Sequence, residues 1–164
     1  LGNNVLLVVA TGAVLLGTLY PLLLDALGMG KISVGPPYFD AVFMPLMAPT
    51  IFLMGIGPLA RWKEASLPDL ARRLRWAAGI SVVVAVATGW LAGRISFAAT
   101  IGLFMAFWIV TSLLTDLLER IHPAGTPWSD APRRARQLPR AMVGMMVAHL
   151  GVAAICIGVS MVQT

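Results

Sequence analysis

An all-α, polytopic transmembrane helix bundle of about five spans is the fold class this sequence predicts, and three observations carry the prediction. The chain is 59% hydrophobic and 12% charged over 164 residues, with a mean hydropathy of +0.86, whereas soluble domains run nearer half apolar and a quarter charged. Five apolar stretches, 5–24, 41–59, 76–92, 95–115 and 141–162, are each near the length that crosses a ~30 Å hydrocarbon core at ~1.5 Å rise per residue. Of twelve Lys and Arg, ten sit in two of the four connections, the asymmetry expected when alternate loops face the cytoplasm.

The first span, Val5 to Leu24, carries no charge and closes with Tyr20 and Pro21 near an interface. The connection Asp25 to Asp40 has one lysine, Lys31, and the run Gly35, Pro36, Pro37, Tyr38, Phe39. Adjacent prolines favour an extended, preorganised backbone, and Gly35 is free to turn before them. The glycines Gly28, Gly30 and Gly35 neither follow a strand nor open a Rossmann unit, which excludes a nucleotide-binding reading. In the second span, Ala41 to Leu59, Pro45 and Pro49 remove backbone donors and are expected to bend the helix. A mixed, net basic loop follows, with Arg61, Trp62, Lys63, Glu64, Asp69, Arg72, Arg73 and Arg75. The third span, Trp76 to Ala92, is the shortest; Gly93 and Arg94 turn the chain into the fourth, Ile95 to Thr115, which ends at Asp116 and Glu119. The next connection, Arg120 to Pro139, is rich in Pro, Gly, Ser and Arg and reads as solvated, with His122 as a surface histidine.

The positive-inside rule then places the Arg61–Arg75 and Arg120–Pro139 connections in the cytoplasm, with residue 1 inside and the Gly35, Pro36, Pro37 loop and residue 164 outside. Trp62 and Trp76 flank the inner interface and Trp90 the outer one. The net charge of +5 and pI near 10.4 therefore mark topology and lipid contact, and no nucleic-acid partner is expected. The single cysteine, Cys156, lies inside an apolar span, which excludes a disulfide framework and a C-x-x-C site. The chain opens on Leu1 and enters a span within a few residues, so it reads as one transmembrane segment, 1–164, of a larger membrane protein.

The last span, Ala141 to Val162, holds His149 near mid-membrane. An ionisable side chain there is costly unless something engages it, and imidazole is the commonest protein metal ligand. Helical spacing sets Met142, Met145, Val152, Ala153 and Cys156 on the face of His149, with the small residues Gly144, Ala148 and Gly151 beside it. Three readings stand on these residues: a metal or cofactor ligand, a proton relay in a proton-coupled transporter subunit, or a histidine hydrogen-bonded to the next helix in a structural membrane anchor.

With these positions placed, the chain resembles the CcmF family of cytochrome c maturation proteins, the membrane haem lyase component. The resemblance runs through Asn3, Asn4; Gly17, Thr18, Leu19, Tyr20, Pro21; Ile32 to Phe39; Gly55, Ile56, Gly57, Pro58 before Arg61 and Trp62; and Gly144 to Ala153. It implies that His149 is a transmembrane axial ligand to the iron of a b-type haem. It also implies a bacterial inner (plasma) membrane protein that takes haem from a membrane haem chaperone and supports its reduction and attachment to C-x-x-C-H apocytochrome c. Other cytochrome c maturation subunits are the implied partners, and quinol an implied electron source. The family's Trp-rich region, its periplasmic histidines and its large periplasmic domain have no counterpart here, so the resemblance assigns no lyase activity and no catalytic residue to this chain alone.

Overall fold

The computed structural model describes residues 2–60, 67–93 and 96–162. Among them there is no strand, and five helices are long and apolar enough to cross a membrane. The helices are α1 (Gly2–Ala26), α2 (Pro36–Ile56, continued by a 3-10 turn Gly57–Leu59), α3 (Leu67–Ala92), α4 (Phe97–Ile121), α5 (Ala131–Arg136, preceded by a 3-10 turn Trp128–Asp130) and α6 (Arg140–Val162). The five expected spans are all present, and most run further than hydropathy alone indicates. Arg61, Trp62, Lys63, Glu64, Arg94 and Ile95 lie outside the described residues.

Where α1 ends, Gly28 at φ 69° takes the left-handed conformation while its N–H donates to the Asp25 carbonyl and that of Met29 to the Leu24 carbonyl. This is a Schellman stop, which explains the glycine without any ligand. The expected extended Pro36–Pro37 loop is corrected: both prolines open α2, where a missing N–H costs nothing and the fixed φ suits the first turn. Gly35 does not turn the chain; Gly28 and Gly30 do, and Gly35 offers its carbonyl to the Tyr38 N–H at 3.1 Å.

The chain forms two compact units, Leu1–Leu53 and Met54–Thr164. In the first, the Tyr38 hydroxyl donates to the Ala13 carbonyl at 2.9 Å, and a Cβ on Gly17 would sit 2.6 Å from the Tyr38 ring. Gly17 is therefore the gap through which the tyrosine reaches the backbone of α1.

In the second unit α4 is the central element, packed on both α3 and α6. Its apolar window is 39% buried, against 22% for α3 and 11% for α6. The start of the third span is corrected from Trp76 to Leu70, in a helix that begins at Leu67, so Arg72, Arg73 and Arg75 are helical and not loop residues. The cause is that Leu70, Leu74, Ala77 and Ala78 recur at helical spacing and join Leu59 and Trp108 in one core, which keeps the basic turns wound. Arg75 then lies 5.3 Å from the ring centre of Trp76, an exposed interfacial pair. The fourth span likewise continues past Thr115 to Ile121, because Asp116 and Arg120 pair one turn apart. Its start is capped by the Ser96 hydroxyl, which accepts from the Ala99 N–H. Across α3 and α4, the Ser81 and Thr111 hydroxyls meet at 2.8 Å.

The sequence-derived orientation is testable at Ser33 and Ser129, both exposed. With Cys156→Ala as background, a cysteine at position 33 is expected to react with a membrane-impermeant maleimide applied outside intact cells, and one at position 129 to react only after lysis. Labelling of position 129 in intact cells would reverse the orientation.

Candidate functional site

His149 stands on α6, which lays Met142, Ala153 and Ser160 into the protein and keeps Val143, Val147, Leu150 and Ile155 outward. The contact with α4 is close at one end: a Cβ on Gly102 would run into the Ser160 hydroxyl, itself bonded to the Cys156 carbonyl at 2.7 Å. That packing fixes the rotation of α6 and leaves His149 half-buried, among Met145, Val152 and Cys156, which are also half-buried.

The His149 Nδ1 lies 2.8 Å from the Met145 carbonyl oxygen, one turn back on the same helix. A carbonyl can only accept, so Nδ1 carries a proton in this bond, and in the neutral ring the lone pair is that of Nε2. Nε2 has no hydrogen-bond partner among the described residues. Of the three readings, the histidine hydrogen-bonded to the next helix is corrected: the imidazole is oriented by its own helix. This arrangement, one ring nitrogen held by a backbone carbonyl and the other without a hydrogen-bond partner among the described residues, is the usual outer bonding of a metal-ligating histidine.

Gly144, Ala148 and Gly151 are exposed, and a Cβ on either glycine would meet nothing within 4 Å. The small-residue track is thus open and α4 does not occupy it, but at about 100° per residue it lies on a different face of α6 from His149. Among the described residues no three His, Cys, Asp or Glu side chains converge on a point, so a metal held by side chains alone has no cage. A planar macrocycle that brings its own four equatorial donors needs only an axial nitrogen and an apolar edge to rest on. His149 supplies the nitrogen, and its half-buried same-face neighbours Met145, Val152 and Cys156 supply an apolar surface for one side of such a group.

A second polar cluster escaped the sequence reading. At the ends of α3 and α4 a cleft of about 220 Å³ is lined by Pro58, Leu59, Arg73, Asp116, Glu119 and Arg120. Arg120 Nε donates to both Asp116 oxygens at 2.9 and 3.0 Å, and Arg73 donates to Glu119 at 2.7 Å. Its charges pair internally, so the cluster clasps the two helices. The one signal available in the sequence was the Asp116–Arg120 spacing of four. Because Asp116 is buried and Glu119 is not, Asp116→Ala is expected to cost about 1–3 kcal/mol and Glu119→Gln under about 1 kcal/mol, read as shifts in the thermal unfolding of detergent-solubilised protein. Equal shifts would remove the distinction. His122 is not a bare surface histidine: it closes α4 and stacks on Trp128 with ring centres 3.9 Å apart.

Comparison with known proteins adds what geometry alone does not. No protein-family profile matches the chain, and no solved structure matches. Among curated relatives, the cytochrome c-type biogenesis protein CcmF of Pseudomonas fluorescens is 39% identical over 159 residues, which is 97% of this chain and 23% of that protein. CcmF of Escherichia coli is 38% identical over 165 residues, 99% of this chain and 24% of the relative. The cytochrome c-type biogenesis protein CycK of Bradyrhizobium diazoefficiens is 38% identical over 159 residues, 96% of this chain and 24% of the relative. The chain spans about a quarter of the length of the curated relatives it matches.

Proposed function

We propose, from the premise that this chain is the counterpart of a segment of the CcmF-type cytochrome c biogenesis proteins, that it forms part of a membrane haem lyase and ligates a b-type haem through His149. The observation that carries the proposal is the state of the imidazole. Its Nδ1–H is committed to the Met145 carbonyl at 2.8 Å, and its Nε2 has no hydrogen-bond partner among the described residues. Haem b held there would supply one-electron chemistry within the membrane, with a potential tuned by the His149 nitrogen and the apolar side chains around it.

The chain's own residues do three things in this reading. The contact of α6 with α4, tight at Gly102 and Ser160, fixes the rotation of the helix that bears the ligand. The Met145 carbonyl selects the tautomer and, by accepting from Nδ1, makes Nε2 a stronger donor. Met145, Val152 and Cys156, on the same face, keep water from the ring. The proton on Nδ1 stays on Nδ1 throughout, since its acceptor is a backbone carbonyl.

The whole assembly is then an inner-membrane machine that receives haem from a haem chaperone and joins it to C-x-x-C-H apocytochrome c. Other maturation subunits are its partners and quinol its source of electrons. The visible spectrum of the purified full-length protein, oxidised and dithionite-reduced, tests the function. A b-type difference spectrum is expected; a protein free of haem after purification from haem-replete cells would return the reading to a transporter subunit or an anchor.

A further inference from the structure

The connection between α4 and α6 is built more firmly than a solvated linker requires. Its turns are closed by backbone bonds from Thr126 to Pro123, from Asp130 to Pro127 and from Gln137 to Arg134. The Thr126 hydroxyl donates to the Pro123 carbonyl at 2.7 Å and accepts from Arg134 at 2.7 Å. Arg134 also faces Asp130 at 3.8 Å, Ala131 is buried, and α5 packs on α4. Of the arginines in this connection, Arg134 is therefore turned inward and used. Arg133, Arg136 and Arg140 are exposed and have no hydrogen-bond or ion-pair partner among the described residues. Trp128, backed by His122, is 64% exposed.

Position decides what these groups meet. Ile121 ends one apolar span and Arg140 begins the next, so both ends of the connection lie at the membrane surface. A compact connection of short helical turns cannot carry Arg133 and Arg136 far from it. Tryptophan favours the headgroup level, and unpaired guanidinium groups in that layer bind phosphodiesters through paired N–H donors. We propose that residues 122–140 form a binding site for an anionic phospholipid headgroup, with Arg133 and Arg136 contributing lipid selectivity and Trp128 resting in the interface.

The positive-inside rule alone requires only that these charges exist. It does not require one arginine to be consumed in holding the others outward. The rule and the proposal separate in the variant Arg133→Gln, Arg136→Gln, which retains Arg120, Arg134 and Arg140 as topology signals. Full-length protein in detergent micelles is titrated with phosphatidylglycerol or phosphatidylcholine, and bound lipid is counted by native mass spectrometry. The wild-type protein is expected to prefer phosphatidylglycerol, the preference to weaken as salt is raised, and the double variant to lose about tenfold or more of it. Trp128→Phe is expected to remove fluorescence that brominated lipid quenches in the wild type. Equal preference of wild type and double variant overturns the site, as does a wild type with no preference. Polyglutamate binding that depends on Arg133 and Arg136 without any lipid preference would assign the surface to an acidic protein partner and equally overturn the lipid site. Should the double variant fold poorly, Arg133→Lys with Arg136→Lys is the second test. It keeps charge and loses the planar fork, so a lowered but nonzero preference is expected, and an unchanged one counts against guanidinium recognition.

Discussion

His149→Gly is expected to leave the full-length protein without its low-spin b-type haem, and added imidazole is expected to bring that spectrum back. On the proposed ligation the substitution removes the iron bond and leaves a hole of about one imidazole among Met145, Val152 and Cys156. Free imidazole can enter such a hole and offer the same nitrogen. The cost to the helix is small, because glycine for an ordinary residue costs under about 1 kcal/mol in a helix interior, and the packing of α6 rests on Met142, Ala153 and Ser160. The rival readings predict different results. A proton relay in a transporter subunit has no haem absorbance for the substitution to remove or for imidazole to restore. A packing histidine tolerates His149→Gln, which retains a side-chain amide able to donate to the Met145 carbonyl. If His149→Gly retains the wild-type spectrum and haem content, the ligand assignment fails and the self-bonded imidazole is only a capped polar group.

The five spans were legible because hydropathy in a bilayer is set by segment length and charge, which composition reports directly. Their ends were less so, and the reasons are local. Leu70 and Leu74 hold a helix through Arg72, Arg73 and Arg75 because their partners Leu59 and Trp108 come from elsewhere in the chain; a window average sees only the arginines. Pro36 and Pro37 read as extended because the residue before proline avoids helix, yet the first turn of a helix is where proline loses nothing. His149 was visible as an intramembrane histidine, and its same-face neighbours followed from helical spacing. That its proton is held by its own helix was not visible, since a ring torsion decides whether Nδ1 meets the carbonyl one turn back or a neighbour. The clasp of Arg73 and Glu119 spans helices far apart in sequence, and nothing in either local stretch announces it.

Gly55 presents a large packing effect. It lies in the last turn of α2, just before the 3-10 turn Gly57–Leu59, and a Cβ there would collide with the Trp108 indole at Nε1. Trp108 is 3% exposed and packed with Leu59, Leu74 and Ala77, so the ring has no room to retreat. Gly55→Leu is expected to destabilise the protein by about 1–3 kcal/mol or more through overpacking, even though leucine is the better helix former. Gly57 is two residues on, and a Cβ there would touch nothing within 4 Å; Gly57→Ala is the matched control and is expected to change stability by under about 0.5 kcal/mol. Trp108→Leu alone opens a cavity and is expected to be costly too. If the collision is the cause, the double variant must be less destabilised than the two single effects added together, because the shortened side chain at position 108 vacates the space that the leucine introduced by Gly55→Leu fills. Unfolding midpoints in mixed micelles of rising dodecyl sulfate fraction, followed by far-ultraviolet circular dichroism, measure the four corners of that cycle, and a coupling of about 1 kcal/mol or more is expected. Additive effects would show that Gly55 matters for its backbone and not for the space it yields to Trp108.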